Sequence, residues 1–117
     1  MRIAYLEDSL EDQFLFKGLC QELGYEVTLL NTIENLKAYD ILFTDLNLMP
    51  LGLYGDETIS KLKSEFNGDI IVVSGVGGGN YEEIAKSYQM QYGVQFISKA
   101  VLSKEKVHAI LKQNTSL

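Results

Sequence analysis

Short, nearly continuous apolar runs alternate along this chain with segments whose apolar residues recur every three or four positions. Ile3 to Leu6 is such a run, it stops at two acids, and it predicts a buried strand. Ser9 with Asp12 three residues later resembles a capping box. Leu15, Phe16, Leu19, Cys20 and Leu23 then fall at helical spacing, and Gly24 is a natural helix stop. Residues 25–30 predict a second strand, and residues 31–38 a short helix whose large apolar residues are Ile33 and Leu36. Ile41 to Thr44 predicts a third strand that ends at Asp45. Residues 47–55 hold Pro50, Gly52 and Gly55 and predict a loop.

Residues 56–66 predict a helix with Ile59, Leu62 and Phe66 on one face, closed by an Asn67-Gly68 turn. Residues 70–73 predict a fourth strand ending at Ser74, and a glycine-rich loop follows over 75–80. Residues 81–92 predict a helix with Ile84, Ala85 and Tyr88 inward. Residues 94–97 predict a fifth strand, followed by Ser98 and Lys99. Residues 103–113 predict a last helix with Val107, Ile110 and Leu111 inward. Five strands alternating with five helices imply an α/β fold with a parallel sheet covered on both faces. Right-handed crossovers make it a doubly wound sandwich, whose ligands bind beyond the carboxyl ends of the strands.

The 117 residues fit a single domain, 1–117, so no output domain is expected in this chain. Ten basic against 16 acidic side chains give a formal charge of −6. That balance opposes nonspecific binding to nucleic acid or to an anionic membrane. Cys20 is the single cysteine and has no internal disulfide partner, so a reducing, cytoplasmic compartment is expected. The N-terminus turns acidic at Glu7 and offers no signal-peptide core.

Chemistry concentrates at the strand ends. Strand one ends at Glu7 and Asp8, strand three at Asp45, strand four at Ser74 and strand five at Ser98 and Lys99. With a sheet order of 2-1-3-4-5, these groups converge on one crevice. Three close carboxylates cannot all stay ionised without a cation. Hard oxygen ligands in an open arrangement suit Mg²⁺. Lys99 and Ser74 suit an anionic oxygen, so the crevice would hold a metal and an anion together, as a phosphoryl group on Asp45 requires.

Over nearly its whole length the sequence resembles the receiver domain of two-component response regulators, a flavodoxin-like fold. The resemblance rests on Ile3-Ala4-Tyr5-Leu6-Glu7-Asp8, on Asp40-Ile41-Leu42-Phe43-Thr44-Asp45-Leu46-Asn47, on Ile70-Ile71-Val72-Val73-Ser74-Gly75 and on Phe96-Ile97-Ser98-Lys99. Each motif alone is weak, and the four in order are specific. The resemblance implies that Asp45 accepts a phosphoryl group from a phosphohistidine, carried by a sensor histidine kinase or a histidine phosphotransfer protein. It implies that Mg²⁺ (or Mn²⁺) is held by Glu7, Asp8, Asp45 and the backbone carbonyl of Asn47. Ser74, Gly75 and Lys99 would bind phosphoryl oxygens. Ser74 and Phe96 would be switch residues, and Val76 would influence dephosphorylation. Phe14, just off the inward stripe of the first helix, is a candidate partner contact, because receivers dock that helix on kinase or phosphotransfer helices.

Ala100 follows Lys99 where receivers carry a proline in a cis peptide. A cis bond before a non-proline residue costs about 3–4 kcal/mol. Either the bond is trans and the loop rearranged, or strain is tolerated there. The loop after Asp45 is longer than the family's, which suggests a lid or a partner contact, and the glycines from Gly75 to Gly79 suggest mobility. The expected function is a stand-alone receiver, a signalling module rather than a turnover enzyme, monomeric or weakly dimeric, working through a downstream protein. Two other readings remain. One is a degenerate receiver used only for protein contact, and the other is a flavodoxin-like small-ligand domain. His108 reads as a surface residue and Cys20 as core filling.

Overall fold

Strand β1, Ile3–Leu6, has all four side chains buried, and strand geometry sends them alternately to opposite faces of the sheet. Ala4 and Leu6 enter one core, together with Leu42, Val72, Ile59, Leu62 and Phe96. Ile3 and Tyr5 enter the other, together with Phe43, Val73, Phe16, Cys20, Val107 and Leu111. A strand buried on both faces must be apolar throughout, which is why these runs do not alternate with polar residues. In the second core Phe16 bridges Tyr5 and Phe43, with ring centroids 4.5 and 4.7 Å apart.

The computed structural model describes residues 1–75 and 81–115. After β1 come α1 (Leu10–Glu22), β2 (Val27–Leu30), β3 (Ile41–Thr44), α2 (Asp56–Glu65) and β4 (Asp69–Ser74). Then follow α3 (Tyr81–Tyr92), β5 (Gln95–Ser98) and α4 (Lys104–Thr115). The sheet is parallel, with strand order β2-β1-β3-β4-β5. Helices α1 and α4 contribute to the core of one face, and α2 and α3 pack on the core of the other. Among the described residues no helix is long and apolar enough to cross a membrane.

The α1 boundaries follow their sequence signals. Ser9 is the N-cap and its hydroxyl accepts from the Asp12 N–H at 3.4 Å. Gly24, at φ 86°, ends the helix in the left-handed region, and its N–H reaches the Gln21 carbonyl. The inward stripe is narrower than its spacing suggests. Phe16 and Cys20 are buried, but Leu15 is 56% exposed and belongs to the outer face.

The expected helix over 31–38 does not form, so the described chain has four α-helices rather than the five anticipated. In its place Asn35 takes a left-handed conformation, φ 60°, and a single 3-10 turn follows at Leu36–Ala38. Two large apolar residues cannot bury a helical face. A turn instead lets Leu36 plug the core, 2% exposed, with Ile33 packed beside it.

The loop after β3 is tethered. Leu46 and Leu48 are buried, Leu48 exchanges two backbone hydrogen bonds with Leu53, and the Thr58 hydroxyl donates to the Leu46 carbonyl. Val76 and the rest of the glycine-rich stretch through Asn80 lie outside the described residues.

Candidate functional site

Register decides what meets at the carboxyl edge. Leu6 of β1 is level with Thr44 of β3, so Glu7 and Asp45 leave the sheet side by side. The Asp45 N–H donates to the Leu6 carbonyl at 3.0 Å, which locks the two strand ends together. Ser74 of β4 is level with Ser98 of β5, and Lys99 starts the 3-10 turn Lys99–Val101 directly beyond. Carboxylate oxygens of Glu7, Asp8 and Asp45 lie within 4.8 Å of one another. The strand ends therefore converge as the topology requires.

Glu7 is 1% exposed and heavily bonded. One oxygen accepts from the Asp8 and Ser9 N–H groups, both at 3.1 Å. The other accepts from the Tyr5 hydroxyl at 3.0 Å and faces the Lys99 ammonium at 2.9 Å. Asp45 is 8% exposed, and one of its oxygens accepts from the Leu46 N–H at 2.8 Å. Its other oxygen lies 3.6 Å from Lys99 Nζ. Asp12, on the first turn of α1, meets the same ammonium at 2.8 Å. One cation thus serves three carboxylates, with Asp8 close by on the solvent side.

Burial pushes the Glu7 carboxyl above the ordinary range, against the opposing pull of the Lys99 and Ser9 hydrogen bonds. Burial raises Asp45 as well, while Lys99 and the Leu46 N–H lower it and Asp8 raises it. Burial acts to lower Lys99, but Asp12, Glu7 and Asp45 outweigh it and hold the ammonium above the usual lysine value. The two buried carboxylates are therefore short of positive charge even with Lys99 beside them. An all-oxygen, acid-rich donor set in that condition fits a hard divalent cation.

The other expected residues are placed as follows. Ser74, the last residue of β4, is buried, Asn47 beyond β3 is exposed, and Gly75 follows Ser74 at the surface. Phe14 is 68% exposed on α1, and His108 is exposed on α4. Cys20 fills the core, where burial pushes its thiol up to about 12. Every described peptide bond is trans, including Lys99–Ala100, and the Ser98 hydroxyl accepts from the Ala100 N–H at 3.2 Å. The rearranged turn still delivers Lys99 to the carboxylates.

Phe96 is buried in the core and stacks on Tyr88 of α3, with centroids 5.3 Å apart and planes 17° from parallel. Tyr88 and Tyr92 both donate to the carboxylate of Asp56, at 2.8 Å each, tying α3 to the start of α2. Burial, then Asp56, push the Tyr88 phenol up to about 12. Asp56→Asn is expected to move that alkaline midpoint down toward the ordinary tyrosine value, read from phenolate absorbance. An unmoved midpoint would assign the whole shift to burial.

Two members of the site escaped the sequence reading. Tyr5 and Glu7 lie two apart on one strand face, a spacing that places a phenol beneath the carboxylate. Asp12 stands four and eight residues before the buried Phe16 and Cys20, at the head of the inward stripe. It also lies in the first turn of α1, where an acid is ordinary, so the local sequence carries no signal of its contact with Lys99.

No family model matches the sequence, and no curated protein matches it either. Solved structures do. A CheY-like response regulator receiver domain from Methylobacillus flagellatus superposes with a TM-score of 0.67 at 21% identity, over 97% of this chain and 98% of that one. A two-component response regulator from Clostridium difficile gives 0.74 at 17%, over 97% and 94%. The receiver domain of a sensor histidine kinase from Pseudomonas aeruginosa gives 0.70 at 22%, over 96% and 94%, and carries a magnesium ion coordinated in its active-site cleft. The chain has the flavodoxin-like receiver fold, with the sheet order 2-1-3-4-5 expected of it.

Proposed function

We propose that this chain is a phosphoacceptor receiver that takes a phosphoryl group onto Asp45. The observation that supports the reading most is the meeting of Glu7, Asp8, Asp45 and Lys99 beyond adjacent parallel strands. A scaffold that only binds proteins has no need of buried acids short of counter-charge. The receiver fold and the magnesium in the cleft of the Pseudomonas aeruginosa domain point the same way.

In this reading the Asp45 carboxylate attacks the phosphorus of a phosphohistidine. An oxygen–phosphorus bond forms while the phosphorus–nitrogen bond breaks, and the imidazole leaves with the bonding pair. The Leu46 N–H fixes the plane of the carboxylate, and burial keeps it poorly solvated. Glu7, Asp8, Asp45 and the Asn47 carbonyl would hold Mg²⁺, which when bound offsets the charge that develops on the phosphoryl oxygens. Ser74, the Gly75 backbone and Lys99 would take those oxygens once they arrive. The donor would be a sensor histidine kinase or a histidine phosphotransfer protein in a cytoplasmic relay, and the output would pass to a protein target. The chain would contribute to its own phosphorylation and dephosphorylation without being a turnover enzyme.

Incubation with Mg²⁺ and acetyl phosphate, followed by intact-mass measurement, tests the proposal. One phosphoryl adduct is expected, lost on omission of Mg²⁺ and absent from Asp45→Asn. An adduct that survives Asp45→Asn moves the acceptor elsewhere. No adduct at all leaves the protein-interaction module as the better reading.

A further inference from the structure

We propose that Asp12 is a positioning residue that holds the Lys99 ammonium in reserve and so weakens the grip of Lys99 on a phosphoryl group at Asp45. The inference rests on the phosphoacceptor reading of Asp45 and adds a regulator of that site.

The distances rank the partners of the ammonium. Asp12 lies at 2.8 Å and Glu7 at 2.9 Å, while Asp45 lies at 3.6 Å. A lysine has three protons to donate, and the two short contacts engage two of them. Glu7 is also satisfied by Tyr5 and by two backbone N–H groups, and it belongs to the carboxylate cluster that would take a cation. Asp12 stands outside that cluster. Its carboxylate is directed at Lys99 across 87 residues of chain, from a helical turn pinned by the Ser9 cap.

A phosphoryl group on Asp45 would bring further negative charge close to the same ammonium. Lys99 can then strengthen its contact there only by loosening its hold on Asp12. The Asp12 side chain is 32% exposed and that of Lys99 21%, so the competing pair is partly screened and of moderate strength. Such a pair tunes the occupancy of the phosphoryl state without abolishing it.

Beryllofluoride binding in the presence of Mg²⁺ provides the test, titrated on the intact chain. Asp12→Asn is expected to bind beryllofluoride about fivefold more tightly, the size of effect a partly exposed ion pair supplies. Asp12→Glu restores the carboxylate and should return the affinity toward the original. Affinity for Mg²⁺ alone should not rise in Asp12→Asn, whereas general damage to the site would lower both. In a Lys99→Met background the gain from Asp12→Asn should vanish.

A lysine side-chain ¹⁵N spectrum serves where Lys99→Met is too unstable. The Lys99 signal of Asp12→Asn should move toward its position in the beryllofluoride state. Unchanged beryllofluoride affinity in Asp12→Asn, an equal gain without Lys99, or an unmoved Lys99 signal overturns the inference. If the unsubstituted chain binds Mg²⁺ but takes no beryllofluoride, the phosphoacceptor reading itself fails, and this inference falls with it.

Discussion

Lys99→Met is expected to lower the unfolding free energy by about 3 kcal/mol at neutral pH, the low end for breaking a buried ion pair because Lys99 is partly exposed. Glu7 is 1% exposed and loses its nearest cation, and Asp45 loses the same counter-charge. The pH dependence separates this cause from simple loss of packing. In the unsubstituted chain the Lys99 pKa is raised. Its stabilisation is therefore complete below the unfolded lysine value and is lost only as pH rises through the folded one, so it is fully present at neutrality.

Glu7 and Asp45 are raised acids, and removing Lys99 deletes an influence that lowers both. An acid with a raised folded pKa binds protons in the native state that the unfolded chain has released. Its contribution is most favourable below the unfolded value, about 4, and declines as pH rises through the folded value. The gap between Lys99→Met and the unsubstituted chain should therefore widen from pH 4.5 to pH 7, read by urea denaturation at both. A gap of equal size at the two pH values would mean that Lys99 acts by packing alone.

That dependence on charge explains which parts of the site could be read along the chain. The strands were legible because burial on both faces demands apolar runs, and Ile3–Leu6 and Ile41–Thr44 keep their expected bounds. Their parallel order then fixes which residues stand at the carboxyl edge, so Glu7, Asp8, Asp45, Ser74 and Lys99 follow from topology. The segment 31–38 was misread because Ile33 and Leu36 fit helical spacing, and spacing alone does not show how much surface a helix could bury. Leu15 fits the helical spacing of α1 in the same way, yet it is 56% exposed while its neighbour Phe16 is buried, because the buried face is narrower than the apolar stripe.

The role of Asp12 was hidden for a different cause. Its place in the first turn of α1 is enough to account for an acid, since the helix dipole favours one there, so nothing in local sequence demands a second partner. Only the return of the chain after β5 reveals it, when the turn at Ala100 sets the ammonium between Asp12 and Glu7.

The second large effect concerns the cation. Mg²⁺ at about a hundredfold its Kd is expected to stabilise the chain by about 2.7 kcal/mol, a rise in Tm on the order of 10 °C for a domain of this size. Of the carboxylates that would bind it, Glu7 and Asp45 are buried and raised, so the native state gains counter-charge that the unfolded chain does not need. Asp45→Asn should reverse the order of stability. Without Mg²⁺ the variant is expected to be the more stable by about 0.5–2 kcal/mol, the usual size of a stabilising substitution, because a buried, desolvated carboxylate is neutralised. With Mg²⁺ it should be the less stable, because one of three carboxylates gathered within 4.8 Å is gone. Thermal unfolding followed by circular dichroism, with EDTA or with Mg²⁺, measures the crossing. Asp12→Asn should keep the Mg²⁺ gain, since Asp12 stands outside that trio. Protons and the cation compete for the same oxygens, so the gain should shrink as pH falls through the raised carboxyl range. A gain that is independent of pH, or equal in Asp45→Asn, would place the cation somewhere other than beside Asp45.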